Sequence, residues 1–147
     1  MLSEELSLQN ERSHQLAPPC SILVADDEHH IRAVVVTKLR QQGHEVREAA
    51  NGEQALEMIR AQPPMLVITD LQMPVMNGLQ LCQALRADPR TAGIPVVLVT
   101  ARGHLLHEDD LGATNVARVI SKPFSARELV AVVNSILAGR ASGGVAA

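Results

Sequence analysis

The chain has 147 residues, 20% of them charged and 46% hydrophobic, proportions that suit one folded domain rather than a disordered segment. A net charge of −3 argues against a basic face for nucleic acid, and no apolar run approaches the roughly 18 residues of a membrane span. With one Phe and no Trp or Tyr, the chain has no platform for stacking bases or a flavin.

Residues 1–19 are polar, end in Pro18-Pro19 and lack the apolar block of a signal peptide, so a loose N-terminal tail is expected. "SILVAD" reads as a first strand. Ile31, Val34, Val35 and Leu39 then recur at helical spacing, with Gly43 where a C-terminal cap belongs. "HEVREAA" alternates weakly and reads as a second strand. Asn51 is placed to cap the next helix, which carries Ala55, Leu56, Met58 and Ile59 and is ended by Pro63-Pro64. "MLVIT" is a third strand; Leu79, Cys82 and Leu85 mark a helix behind it that stops near Pro89. "IPVVLVT" is a fourth strand. The segment 103–115 has Leu105, Leu106 and Leu111 as its only large apolar residues, and Gly112 interrupts it. A short, irregular fourth helix is expected there. "VARVIS" is a fifth strand. Ser125 and Glu128 form a capping box for the last helix, whose stripe is Leu129, Val132, Val133, Ile136 and Leu137. Residues 139–147 are expected to be a second tail.

Strands and helices therefore alternate, and the strands are too uniformly apolar to face water on either side. That is the pattern of a parallel sheet covered by helices on both faces. Right-handed crossovers build it into a doubly wound, five-stranded α/β domain with strand order 2-1-3-4-5, spanning residues 20–138. Cys20 and Cys82 show no metal or redox spacing, which suits a reduced, cytoplasmic setting.

In such a sheet, ligands bind at the carboxyl ends of the strands. Strand one ends at Asp26-Asp27, strand three at Asp70, strand four at Thr100 and strand five at Ser121-Lys122; strand two ends on Ala49-Ala50 and offers nothing. Two unit charges about 4 Å apart repel by roughly 4 kcal/mol at an effective dielectric of about 20. Three converging carboxylates therefore need a cation, or a raised pKa. Lys122 supplies one charge. A hard divalent ion such as Mg²⁺, which takes one or two carboxylates, waters and a phosphate, would supply the rest. Thr100 and Lys122 suit phosphoryl oxygens, and Asp70 suits a nucleophile that becomes an aspartyl-phosphate.

With "ILVADDE" (Ile22 to Glu28), "DLQMPVMNG" (Asp70 to Gly78), "VVLVTA" (Val96 to Ala101) and "SKPF" (Ser121 to Phe124) in order, the chain resembles a two-component response-regulator receiver domain of the CheY-like superfamily. The resemblance covers about residues 20–138 and implies the flavodoxin-like fold. It implies that Asp70 is the phosphoacceptor and that Asp26, Asp27, Asp70 and the Gln72 backbone carbonyl hold Mg²⁺. Thr100 and Lys122 would contact the phosphoryl group, and Lys122-Pro123 would be a cis peptide. Its implied partners are a histidine kinase or phosphotransfer protein and a downstream protein target, met through the fourth helix, fifth strand and last helix, with Val130 a candidate contact. No nucleic acid or membrane partner is expected, and the chain would be a monomer or weak dimer.

The sequence departs from the family at several places. The aromatic usual three residues before the Lys is Val119, and the usual Gly-Ala seven and six residues before it is Asn115-Val116. Gln72 and Arg102 stand where family members border the path of attacking water. Other readings of single residues are simpler. Asp27 alone could be a helix cap. His29 and His30 are adjacent on a helix and do not share a face, so solvated side chains are expected. Met73 and Met76 read as turn packing, and Cys82 as core. Lys122 is less easily dismissed, since the chain has 11 Arg and only two Lys.

The leading expectation is a phosphorylation switch consisting of a receiver domain alone, since only about ten residues follow residue 138; the chain could also be one domain of a longer protein. It would not be an enzyme beyond its own phosphoryl transfer and dephosphorylation. The rivals are a pseudo-receiver that binds without phosphate, against which the intact Asp pair, Thr100 and Lys122 argue, and an aspartate-nucleophile phosphatase. The last needs D-x-D at the nucleophile, whereas Asp70 is followed by Leu71-Gln72.

Overall fold

The computed structural model describes residues 20–101 and 114–146, with side chains to Gly139. The expected N-terminal tail, Arg102 and nearly all of the expected fourth helix lie outside the described residues. The elements are β1 (Ser21–Ala25), α1 (His29–Gln41), β2 (Glu45–Ala49), α2 (Gly52–Ala61), β3 (Leu66–Asp70), α3 (Gly78–Ala87), β4 (Val96–Thr100), β5 (Val116–Ser121) and α4 (Ala126–Ala146). All strand pairs are parallel, in the order β2-β1-β3-β4-β5. The expected α/β fold and strand order are therefore present. No helix among the described residues is long and apolar enough to cross a membrane.

The continuous apolar strands are explained by what covers them. Successive side chains of a strand point to opposite faces. Ile22, Val24, Leu66, Ile68, Val97 and Val99 pack with Val35, Val36 and Leu39 of α1 and Leu129, Val132, Val133 and Leu137 of α4. Leu23, Ala25, Val67 and Val96 point the other way, onto Ala55, Leu56 and Ile59 of α2 and Leu81, Cys82 and Leu85 of α3. Each fully buried Leu or Ile is worth roughly 1.5–3 kcal/mol of removed apolar surface, so both cores contribute heavily.

Helix starts follow local chemistry. Asn51 accepts from the Gln54 amide at 2.8 Å, as its position before α2 predicts. Ser125 accepts from the Glu128 amide at 3.0 Å ahead of α4. Asn77 and Gln80 form a complete capping box on α3, a signal present in the sequence as N-x-x-Q. By contrast, α1 starts at the N-cap Glu28 with no side-chain capping bond, so Asp27 is not its cap. Its other end is as expected: Gly43 takes φ 91°, and its amide donates to the Arg40 carbonyl at 2.9 Å.

Three apolar positions differ from expectation. Val34 is 60% exposed, while Val36 is buried. Two residues on a helix stand roughly 200° apart, so of the run Val34-Val35-Val36 only one end can join the Val35–Leu39 face. Leu79 is half-buried, and it is Leu81 that joins Cys82 and Leu85 on the buried face of α3. Val130 is partly buried against the core rather than exposed. The last helix also continues to Ala146, beyond the expected end at residue 138, since propagating a formed helix requires no new nucleus.

At the opposite edge of the sheet from the strands' carboxyl ends, His44 is buried at 5% exposure and its Nδ1 accepts the Cys20 amide at 3.3 Å. Burial pushes the His44 pKa below its ordinary 6.5. The unfolded chain therefore binds the proton more readily, so the stability tied to neutral His44 is complete above about pH 6.5 and is lost as pH falls below it. Urea unfolding between pH 7.5 and pH 5 is expected to show a steeper loss of stability for the native protein than for His44→Gln. Equal slopes would remove His44 from the pH response.

Candidate phosphoacceptor and metal site

The carboxyl ends of β1, β3, β4 and β5 meet at one edge of the sheet. Asp70 is the last residue of β3 and is 5% exposed; Asp26 follows β1 and is 6% exposed. Asp27 is exposed beside them. One carboxylate oxygen from each of Asp26, Asp27 and Asp70 lies within 4.8 Å of the other two. Lys122 follows β5 and projects its ammonium into this group: Nζ is 3.2 Å from Asp70 Oδ2 and 3.9 Å from Asp26 Oδ2. Thr100 ends β4, fully buried, and its carbonyl accepts the Lys122 amide at 2.8 Å. Lys122-Pro123 is cis, as the resemblance implies. The structure thus brings together Asp26, Asp27, Asp70, Thr100 and Lys122. Gln72 is exposed at the rim, its amide 3.4 Å from Asp70 Oδ1.

The loop after Asp70 is shaped by close packing. A Cβ on Gly78 would collide with the Asp70 carbonyl, so only glycine lets α3 start this near the end of β3. The Gly78 amide donates to the Leu71 carbonyl at 2.8 Å. Between them, Val75 has φ 71° and is 75% exposed, with the Met76 amide bonded to the Pro74 carbonyl in a γ-turn. Met73 and Met76 pack against the core on the α2–α3 side, as turn residues should. His29 and His30 are exposed.

Sequence reasoning missed two participants. Glu28 reaches Lys122 Nζ at 3.4 Å, adding a fourth carboxylate at the rim. Arg32 donates to the Asp26 carbonyl at 2.6 Å. The signal for Arg32 was its place one turn into the helix that follows the acidic pair.

Among the described residues the site is over-supplied with negative charge. Burial, opposed by the Glu28 amide and Lys122 and reinforced by Asp70, holds the Asp26 pKa above the ordinary carboxylate value. Burial also raises that of Asp70, against the pull of Lys122. Burial works against the Lys122 ammonium, but Asp26 and Asp70 outweigh it and raise its pKa, so it stays charged. One ammonium does not offset the group. The donor set is hard oxygen only, clustered, and short of positive charge, which fits a small divalent cation of the Mg²⁺ type.

The sequence profile of the response regulator receiver domain family matches residues 22–134. The chain belongs to that family, whose members are the phosphorylation-activated switches of two-component systems. It is 39% identical over 119 residues to the probable transcriptional regulator ycf27 of Porphyra purpurea, covering 79% of this chain and 46% of that protein. The chain thus spans about half the length of such relatives. Among solved structures, the CheY-like response regulator receiver domain protein of Methanospirillum hungatei superposes with a TM-score of 0.78 at 25% identity, covering 85% of this chain and 98% of that one. The receiver domain of sensor histidine kinase PA1611 from Pseudomonas aeruginosa, solved with a magnesium ion in its active-site cleft, shares the fold. Its TM-score is 0.74 at 22% identity, over 82% of this chain and 98% of that one.

The raised Asp26 pKa has a consequence for stability. Below the ordinary carboxylate range Asp26 is protonated in both states and costs nothing; as pH rises, the unfolded chain ionises first and stability is lost. In chelator at pH 7, Asp26→Asn is therefore expected to melt a few degrees above the native protein, with the gap closing toward pH 4. A native protein at least as stable as the variant at pH 7 would contradict the charge excess described here.

Proposed function

We propose that Asp70 accepts a phosphoryl group from the phosphohistidine of a histidine kinase or phosphotransfer protein, and that the resulting charge alters binding of a downstream protein. The observation that carries this reading is the buried Asp70 carboxylate, 3.2 Å from the Lys122 ammonium and grouped with Asp26 and Asp27. An Asp70 oxygen attacks phosphorus as the P–N bond to the donor imidazole breaks, forming the aspartyl-phosphate and releasing the histidine. Asp26, Asp27, Asp70 and the Gln72 carbonyl would hold Mg²⁺, which when bound neutralises phosphoryl oxygens. Lys122 holds a further phosphoryl oxygen, and the Thr100 hydroxyl would be drawn to it. Beside Lys122, a cleft of about 490 Å³ lined by Ile31, Val34, Pro123 and Phe124 gives an apolar surface on which a donor could rest.

The receiver unit in this reading is residues 20–138, with 1–19 and 139–147 as flanks. The phosphoryl group adds roughly −1.5 to −2 charge. With Val119 half-buried in β5 where an aromatic is usual, the response would pass through the backbone, using the bond from the Lys122 amide to the Thr100 carbonyl. It would end on the surface of β5, α4 and the segment before β5. Gln72 at the rim, with Arg102, would shield the phosphoryl group from water. A hydrolase reading has no support in the site, since the position two past Asp70 carries an amide rather than an acid. A cytoplasmic location accords with this role.

Incubation with acetyl phosphate and Mg²⁺ is expected to add one phosphate by intact mass, with no adduct on Asp70→Asn and none after chelation. Full labelling of that variant would sink the assignment.

Lys122→Arg keeps the charge but replaces a compact ammonium with a planar fork in a pocket bounded by Asp26, Asp70 and Glu28. Phosphorylation by acetyl phosphate is expected to slow at least about tenfold, in the range usual for a lost electrostatic contact. Native rates in this variant would show that Lys122 acts only as a diffuse charge.

A further inference from the structure

Arg32 is the one large cation of α1 turned toward the acidic loop, and the chemistry proposed for the site does not use it. Its side chain is only 14% exposed. All three guanidinium nitrogens are engaged. Nε donates to Glu48 Oε1 at 3.1 Å, Nη1 to the Asp26 carbonyl at 2.6 Å, and Nη2 lies 3.1 Å from His29 Nδ1. Glu48 is on β2, in register with Val24 of β1. A single planar group therefore ties α1 to the ends of two strands. The loop it grips, Asp26 to Glu28, carries two of the three clustered carboxylates. That loop is also held by the Asp26 amide on the Ala49 carbonyl at 3.1 Å, the Glu28 amide on Asp26 Oδ1 at 2.9 Å, the Arg32 amide on the Glu28 carbonyl at 3.0 Å, and Lys122 Nζ at 3.4 Å from Glu28 Oε1.

We propose that Arg32, braced by Glu48, is a positioning residue that presets the Asp26–Asp27 pair for a divalent cation. It touches neither the ion nor the phosphoryl group. Adjacent carboxylates repel, so a loose loop would spread them apart. A cation binding such a loop would first have to order it, and its apparent affinity would fall with the fraction of molecules already in the competent arrangement. Lysine cannot substitute, because one ammonium cannot reach Glu48, the Asp26 carbonyl and His29 together. The inference rests on Asp26, Asp27 and Asp70 being the cation's ligands.

The test is calorimetric titration of the full chain with Mg²⁺ for the native protein, Arg32→Lys, Arg32→Met and Glu48→Gln. Thermal melts establish that each variant is folded at the titration temperature. Both Arg32 variants are expected to bind Mg²⁺ about tenfold more weakly, the usual lower range for losing a group that orients metal ligands. Glu48→Gln should shift in the same direction by less. Phosphorylation from acetyl phosphate should need correspondingly more Mg²⁺ for half its maximal rate and still approach the native rate at saturation, because enough ion restores the pair. Folded Arg32 variants with native Mg²⁺ affinity, even at a lowered melting temperature, would overturn the proposal and leave Arg32 a purely structural residue. If neither Arg32 variant folds, Glu48→Gln decides, and native affinity there overturns it. A native protein that does not bind Mg²⁺ would remove the site reading as well; native binding with unaltered variants would remove this inference alone.

Discussion

Parallel pairing obliges every strand of the sheet to end on the same edge. That constraint governs the rest of the molecule. Because β1, β3, β4 and β5 run the same way, residues far apart in sequence are delivered to one place with their side chains already aligned. Asp70 and Lys122 are 52 positions apart and meet at 3.2 Å without any loop having to search for the contact. The cost is a concentration of like charge at the mouth of a low-dielectric sheet, where carboxylates are poorly solvated and, among the described residues, one ammonium sits among them.

What tolerates that cost is the pair of cores. Each face of the sheet is sealed by two helices, and the three central strands are buried along almost their whole length. Stability is supplied away from the strand ends, so the edge can remain under electrostatic tension. Backbone tension sits in the same place: a β-branched residue, Val75, at φ 71° in the loop that follows Asp70 is an unfavourable choice for stability alone.

The features legible in the sequence were those with a short period or a fixed spacing. Runs such as Leu66–Thr69 and Val96–Val99 show burial on both faces directly, and polar residues at the ends of those runs indicate the site. Proline and Asn51 marked helix ends because their effects are local. What could not be read depended on geometry between elements. Three consecutive valines in α1 do not reveal which end faces the sheet, and Val36 rather than Val34 does so. Arg32 and Glu48 become partners only once α1 is laid over β1 and β2. The Asn77–Gln80 box was a local signal of the readable kind, obscured by the stronger motif in which it is embedded.

The bare start of α1 has a further meaning. Side-chain oxygens close the starts of the other three described helices, while at α1 the amide of the N-cap Glu28 donates to Asp26 Oδ1. A helix start carries about half a positive charge. Unlike the Lys122 ammonium, that charge neither titrates nor rotates away. The usual remedy for an unsatisfied helix start, a serine or aspartate at the cap, is worth about 1 kcal/mol elsewhere. At position 28 a capping side chain would engage the first amides of α1 and weaken that fixed positive field beside the carboxylates. Thermostabilising redesign of this protein would therefore meet a conflict with the acidic site at Glu28, whose own side chain already faces the Lys122 ammonium.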